Sequence, residues 1–166
     1  MTISRSMRAP ALHLAAFLLM AAAAGPVLAQ SRFKPSADGS EVTDTQTQLT
    51  WKRCAEGTQW DGKACTGKAM RFDFRAAKKH AAVAGKGAAW RLPSRDELVG
   101  LVDKAKKKKP KIDVDAFPNT PSLPFWATRA GSTDDLNAWL VNFSNGKVLG
   151  NVAERKFPVR LVRAAS

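Results

Sequence analysis

Apolar residues recur at helical spacing in two places, both near the middle of the chain. Phe74, Ala77, Ala81 and Ala84 make one stripe, and Leu98, Leu101 and Val102 make the other. The first stripe predicts a helix over 73–84, capped by Asp73 and stopped by Gly85 and Gly87. The second predicts a helix that starts at Ser94 and runs until Pro110 ends it. Its start has the capping-box form Ser94-Arg95-Asp96-Glu97, in which Ser94 and Glu97 satisfy each other's exposed amides.

The flanks read as strand. From Phe33 to Cys54 the pattern predicts two short strands with a bend at Asp44-Thr45-Gln46. After a proline-rich connection with Ile112, Val114 and Phe117 as apolar anchors, "PFWATRA" predicts a strand. "NAWLVNFSNGKVLGNV" predicts a hairpin: Trp139, Val141 and Phe143 alternate, and Asn145-Gly146 supplies a type I′ turn. "FPVRLVRA" closes the chain as a last strand. Central helices between flanking strands make this an α+β chain. Trp51, Trp126 and Trp139, spaced along strands, are expected to face inward.

The first 29 residues are expected to form a signal peptide rather than part of the fold. Arg5 and Arg8 precede an apolar run from Ala11 to Ala24, Gly25-Pro26 break it, and Val27-Leu28-Ala29 fits a cleavage site. The run is too short for the ~20 residues of a spanning helix. The expectation is therefore an exported chain, periplasmic or secreted, with one domain over residues 30–166 and no transmembrane segment. In an oxidising compartment Cys54 and Cys65, the only cysteines, are expected to form a disulfide. A short loop of this kind adds about 2–3 kcal/mol. A metal site is disfavoured, because His80 is the only histidine after the leader.

Charge is the best clue to a partner. The chain carries +13, and +11 without the two leader arginines, which favours anionic partners. Lys104, Lys106, Lys107, Lys108, Lys109 and Lys111 concentrate that charge at the expected end of the second helix. Cations there suit the helix dipole, but about two of them suffice for that. The run reads either as a solvated helix end or as a polyanion-binding patch, with Arg95, Arg129 or Arg155 in support. Catalysis is not expected, and no cofactor is. One histidine and no tyrosine leave only a carboxylate pair such as Asp113 and Asp115, which reads as solvent-facing. His80 reads as a half-buried packing residue. Asp134, Asp135 and Asn137 offer too few oxygens for the six to eight that calcium prefers. No residue pattern speaks to oligomeric state.

The motifs "TDTQTQLTWKRC", "WRLPSRDELVGLVD", "AFPNTP", "FWATR", "AWLVNFSNGKV" and "VRLVRA" occur in an order that resembles the Lcl C-terminal domain family, named for the end of a bacterial collagen-like adhesin. The resemblance covers nearly all of residues 30–166. It implies a C-type-lectin-like fold, shared with formylglycine-generating enzymes: two helices packed on a twisted, mostly antiparallel sheet with long loops. It also implies that Trp90, Arg91, Leu92 and Pro93 brace the core beside the second helix, and that Arg160 and Arg163 end the last strand. "FWATR" departs from the family's Ser-Ser-Thr version, and the Glu-Pro-Asn and Trp-Asn-Asp motifs of calcium-dependent lectins are absent. Cys54 and Cys65 sit in an early loop, unlike the reactive pair of the formylglycine enzymes. By analogy with the adhesins, the expected partner is an acidic, sulfated or phosphorylated glycan or another envelope polyanion. A protein-interaction subunit of an envelope assembly is the alternative, and export disfavours nucleic acid as the natural ligand.

Overall fold

The structure is a computed structural model that describes Thr2 and residues 31–129, 138–150 and 155–165. The chain divides into Met1–Gln30 and Ser31–Ser166, and the second unit is described here. The leader expected over 1–29 lies, but for Thr2, outside the described residues. No helix among the described residues is long and apolar enough to cross a membrane.

The described residues of this unit are α+β, with two helices and antiparallel sheets. Strands β1 (Phe33–Pro35), β2 (Glu41–Asp44) and β3 (Leu49–Lys52) form a meander, so the opening stretch holds three strands rather than the two expected. The last strand, β9 (Val162–Ala164), pairs with β3, giving the order β1-β2-β3-β9. Val42, Trp51 and Val162 stand side by side across β2, β3 and β9, and all three are buried. Strands β4 (Thr58–Trp60) and β5 (Cys65–Gly67) make a small hairpin between the cysteines. Strands β6 (Pro124–Ala127), β7 (Trp139–Asn142) and β8 (Val148–Gly150) make a third sheet.

That third sheet divides two apolar clusters. Phe125, Ala127, Val141 and Phe143 face one, with Trp51, Leu98, Ile112 and Phe117. Trp126 and Leu140 face the other, with Phe74, Ala77, Ala81, Trp90, Leu92 and Leu161. Burial on both faces explains why β6 and β7 read as unbroken apolar runs. Trp51 and Trp126 are core as expected; Trp126 also donates its indole N–H to the Phe72 carbonyl at 2.6 Å. Trp139 is only partly buried, packed against the first cluster.

Helix α1 (Phe74–Gly85) lies where expected, and its N-cap Asp73 accepts from the Ala76 amide. It lays Phe74, Ala77 and Ala81 on the second cluster. Helix α2 (Arg95–Val99) has the full capping box, and Leu98 enters the first cluster. It is far shorter than expected. Gly100 weakens the helix after its first turn. A last turn closes through Leu101 and Val102, and then Asp103 takes the amides of Ala105 and Lys106 on its own carboxylate, both at 3.0 Å. A side chain that holds local amides competes directly with the helical ladder. The lysines are therefore not a helix end.

Two further expectations are corrected. Val114 is exposed, while Ile112 and Phe117 are fully buried. The β7–β8 connection is not a two-residue turn: β7 pairs with β8 across the longer connection Phe143–Lys147. Phe143 is committed elsewhere, donating to Leu123 and accepting from the Lys111 amide, so it cannot serve the hairpin ladder.

Arg160, two residues before β9, is completely buried. Its guanidinium donates to the carbonyls of Lys52 (2.7 Å) and Arg53 and to the Thr120 hydroxyl (2.8 Å), and it lies over the Phe117 ring at 4.7 Å. Burial pushes its pKa down to about 9, with Glu56 acting in the opposite direction, so it stays charged at neutral pH. Replacing it by methionine (Arg160→Met) removes the donors to the part-buried Lys52 and Arg53 carbonyls and to the buried Thr120 hydroxyl. The variant should lose about 3 kcal/mol or more, read as a lower urea midpoint with the slope unchanged.

Asp44 is buried beside Arg32, which holds it at 3.0 and 2.6 Å. Burial pushes its carboxyl up, but the contacts from Arg32, the Gln46 amide and Thr47 outweigh that and hold it below the usual carboxylate range. A carboxyl lowered in the folded state stabilises above its unfolded value, about pH 4, and loses that contribution as pH falls further. Stability should therefore decline below about pH 4. The Asp44→Asn variant should be less stable at pH 7 and show a flatter acid limb in urea titrations.

Candidate functional site

The lysine run is a closed loop. Its two ends are joined where the Asp103 amide donates to the Lys111 carbonyl at 3.1 Å. Two of the six lysines turn inward: the Lys106 ammonium donates to the Ile112 carbonyl (2.8 Å), and the Lys111 ammonium to the Lys106 carbonyl (2.6 Å). The other four, Lys104, Lys107, Lys108 and Lys109, are exposed, and none forms an ion pair among the described residues. The run thus divides into two lysines that fasten the loop and four that face solvent.

The loop is held against the β7–β8 connection. The Lys111 amide donates to the Phe143 carbonyl at 2.6 Å, and the side chain of Val102 approaches Gly146 so closely that a Cβ there would sit 3.0 Å from it. Gly146 also has φ +77°, so both space and backbone favour glycine. Lys147, the next residue of this connection, is exposed.

The three expected supporting arginines make their contacts elsewhere. Arg95 is paired with Asp96 at 2.8 Å and lies over the Trp139 ring at 5.2 Å. With Arg129 these residues line a cavity of about 410 Å³ at the start of β7, the end away from the loop. Arg155 lies over Phe157, which packs on the second cluster. Asp113 accepts from the amides of Asp115 and Ala116 at 2.9 and 3.0 Å, so it closes a turn, and both carboxylates are exposed. Asp134, Asp135 and Asn137 lie outside the described residues. No group of three or more metal-ligating side chains occurs among the described residues.

Cys54 and Cys65 form the expected disulfide, with Cα atoms 5.4 Å apart. The disulfide fastens the β4–β5 hairpin, whose tip is closed by Asp61 accepting from Lys63 and Ala64. Sequence reasoning missed the cluster beside it. Glu56, nearly buried, accepts from Lys52 at 3.0 Å and pairs with His80 at 2.6 Å. His80 is half-buried as expected and also stacks on Phe72, with ring centroids 4.8 Å apart. Arg163, within β9, pairs with Glu41 at 2.8 Å, and Lys52 and Arg163 both lie over Trp90. Trp90 and Leu92 belong to the second cluster, the bracing role the resemblance implies.

The family model of the Lcl C-terminal domain matches residues 40–163. No curated protein matches the chain, and no solved structure does.

Asp103 organises the lysine loop, so Asp103→Ala should loosen it without unfolding the core. Trypsin should then cut between Lys104 and Lys111 several-fold faster than in the parent at equal global stability, as expected for a local opening made easier.

Proposed function

We propose that this chain, which belongs to the Lcl C-terminal domain family, is an exported binding module without catalysis that holds an acidic glycan or another envelope polyanion on its lysine loop. Family membership assigns no reaction, so the reading rests on residues. The observation that carries it is the division of labour among the lysines: Lys106 and Lys111 fasten the loop, while Lys104, Lys107, Lys108 and Lys109 point outward without acidic partners among the described residues. Four like charges in one short tied loop repel each other, and a polyanion relieves that repulsion while releasing counterions. Binding of this kind weakens steeply with salt.

Export is read from the leader, and the disulfide supports an oxidising compartment. A C-type-lectin-like fold is likewise our reading. Two helices, antiparallel sheets and the placing of β1 and β9 in one sheet support it.

The test is salt-gradient elution from immobilised heparin, with neutral agarose as control. The parent should be retained beyond ~0.5 M salt. A variant with Lys104, Lys107, Lys108 and Lys109 all changed to Gln should elute on the order of 0.2 M earlier with an unchanged melting curve. Co-elution of the two would overturn the reading and leave a protein partner of the envelope as the alternative, sought by stoichiometric co-purification.

A further inference from the structure

Between the start of β2, the end of β3 and the disulfide-fastened hairpin lies a cleft of about 430 Å³, lined by Ser40, Glu41, Lys52, Glu56, Gln59 and Trp60 among others. We infer that this cleft is a separate binding site for an uncharged pyranose ring, with the Trp60 indole as its stacking surface and Glu41 and Lys52 as its hydrogen-bonding pair. The volume is in the ordinary range for small-molecule sites, about 300–1,000 Å³. The inference does not depend on the lysine loop.

Trp60 is the first argument. It belongs to neither apolar cluster and is only half-buried, so core packing does not account for it. Yet it is held rigidly. The Arg53 guanidinium lies over its ring at 4.1 Å, and Arg53 is itself fixed by the carbonyls of Ala116 (3.2 Å), Asp115 (2.6 Å) and Gly39 (3.4 Å). Gly39 has φ +72°, and a Cβ there would fall 2.6 Å from the indole nitrogen, so the indole is seated where only glycine leaves room. Across the hairpin Trp60 pairs with Cys65, which carries the disulfide. An aromatic surface fixed in advance of binding loses little freedom when a ligand stacks on it.

The polar groups are the second. Glu41 and Lys52 face each other across β2 and β3. Each is oriented by a partner outside the pair: Arg163 holds one Glu41 oxygen at 2.8 Å, and Glu56 holds the Lys52 ammonium at 3.0 Å. The second Glu41 oxygen has no hydrogen-bond partner among the described residues, and the Lys52 ammonium has donors to spare. An acceptor next to a donor complements two neighbouring hydroxyls, one donating to Glu41 and the other accepting from Lys52. The apolar C–H face of the same ring suits the indole. Glu41 and Glu56 stand with Lys52, Arg163 and, over the indole, Arg53, so the cleft carries both signs of charge rather than the single sign that would select an ion.

The test uses the full chain and four probes: methyl β-glucopyranoside, methyl β-galactopyranoside, methyl α-mannopyranoside and N-acetylglucosamine. Titrations follow the Trp60 indole N–H resonance, assigned by its loss in Trp60→Leu. At least one probe should shift it saturably, with Kd in the millimolar range. Trp60→Leu, followed through the Lys52 amide, should weaken that binding at least tenfold, and Glu41→Gln several-fold. Both variants should keep the parent's retention on heparin, which separates this site from the lysine loop. If Trp60→Leu fails to fold, Glu41→Gln decides. The inference is overturned if no probe moves the Trp60 resonance up to about 100 mM, or if Glu41→Gln binds as tightly as the parent.

Discussion

The interaction on which most of this structure depends is the burial of the Arg160 guanidinium. It sits between the end of β3 and the loop carrying Thr120, and its donors reach both. Removing a cation from water is expensive, and it persists only where the surroundings supply acceptors in fixed positions. Here these are two successive backbone carbonyls, Lys52 and Arg53, and one hydroxyl, with the faces of Phe117 and Phe125 around them. A single side chain near the C-terminus thereby fixes where the first sheet hands over to the disulfide-bonded hairpin. The Lys52 side chain then joins Glu56, and the Arg53 side chain supports Trp60.

The cleft by Trp60 follows from that placement, and the lysine loop from the tie at Phe143. Basic residues are plentiful in this chain, and several of the described ones are held by partners. Arg53 and Arg160 bond backbone carbonyls, Arg32, Arg91 and Arg163 pair with carboxylates, and Lys106 and Lys111 close their own loop. What remains in the outward part of the lysine loop is a concentrated residue of positive charge on a tethered segment. The cleft by Trp60 has the opposite character, with charge of both signs and an aromatic wall.

Much of this was legible where the signals are local. Helix α1 matched its expected span because Asp73 and the glycines act within a turn of its ends. The capping box at Ser94 was legible for the same reason, but the length of α2 was not: lysines are good helix formers, yet the helix stops at Gly100 and the carboxylate of Asp103, taking two amides, keeps the ladder from resuming. The β7–β8 connection misled similarly. Asn145-Gly146 is a strong local turn signal, overridden because Phe143 spends its backbone groups on Leu123 and Lys111. Contacts between distant residues left no trace at all. Nothing near His80 in sequence points to Glu56, which lies 24 positions away, and nothing near Gly146 points to Val102.

The sheet shared by the two apolar clusters has a consequence for how the molecule comes apart. Trp126 and Leu140 belong to one cluster, while their immediate neighbours Phe125 and Val141 belong to the other. Exposing either cluster therefore strips one side of the same two strands. Neither half can melt and leave its neighbour intact, so two cores behave as a single foldon. The amide hydrogens of β6 and β7 would exchange with solvent last, through global opening, whereas the lysine loop and the tip of the β4–β5 hairpin can breathe without disturbing them.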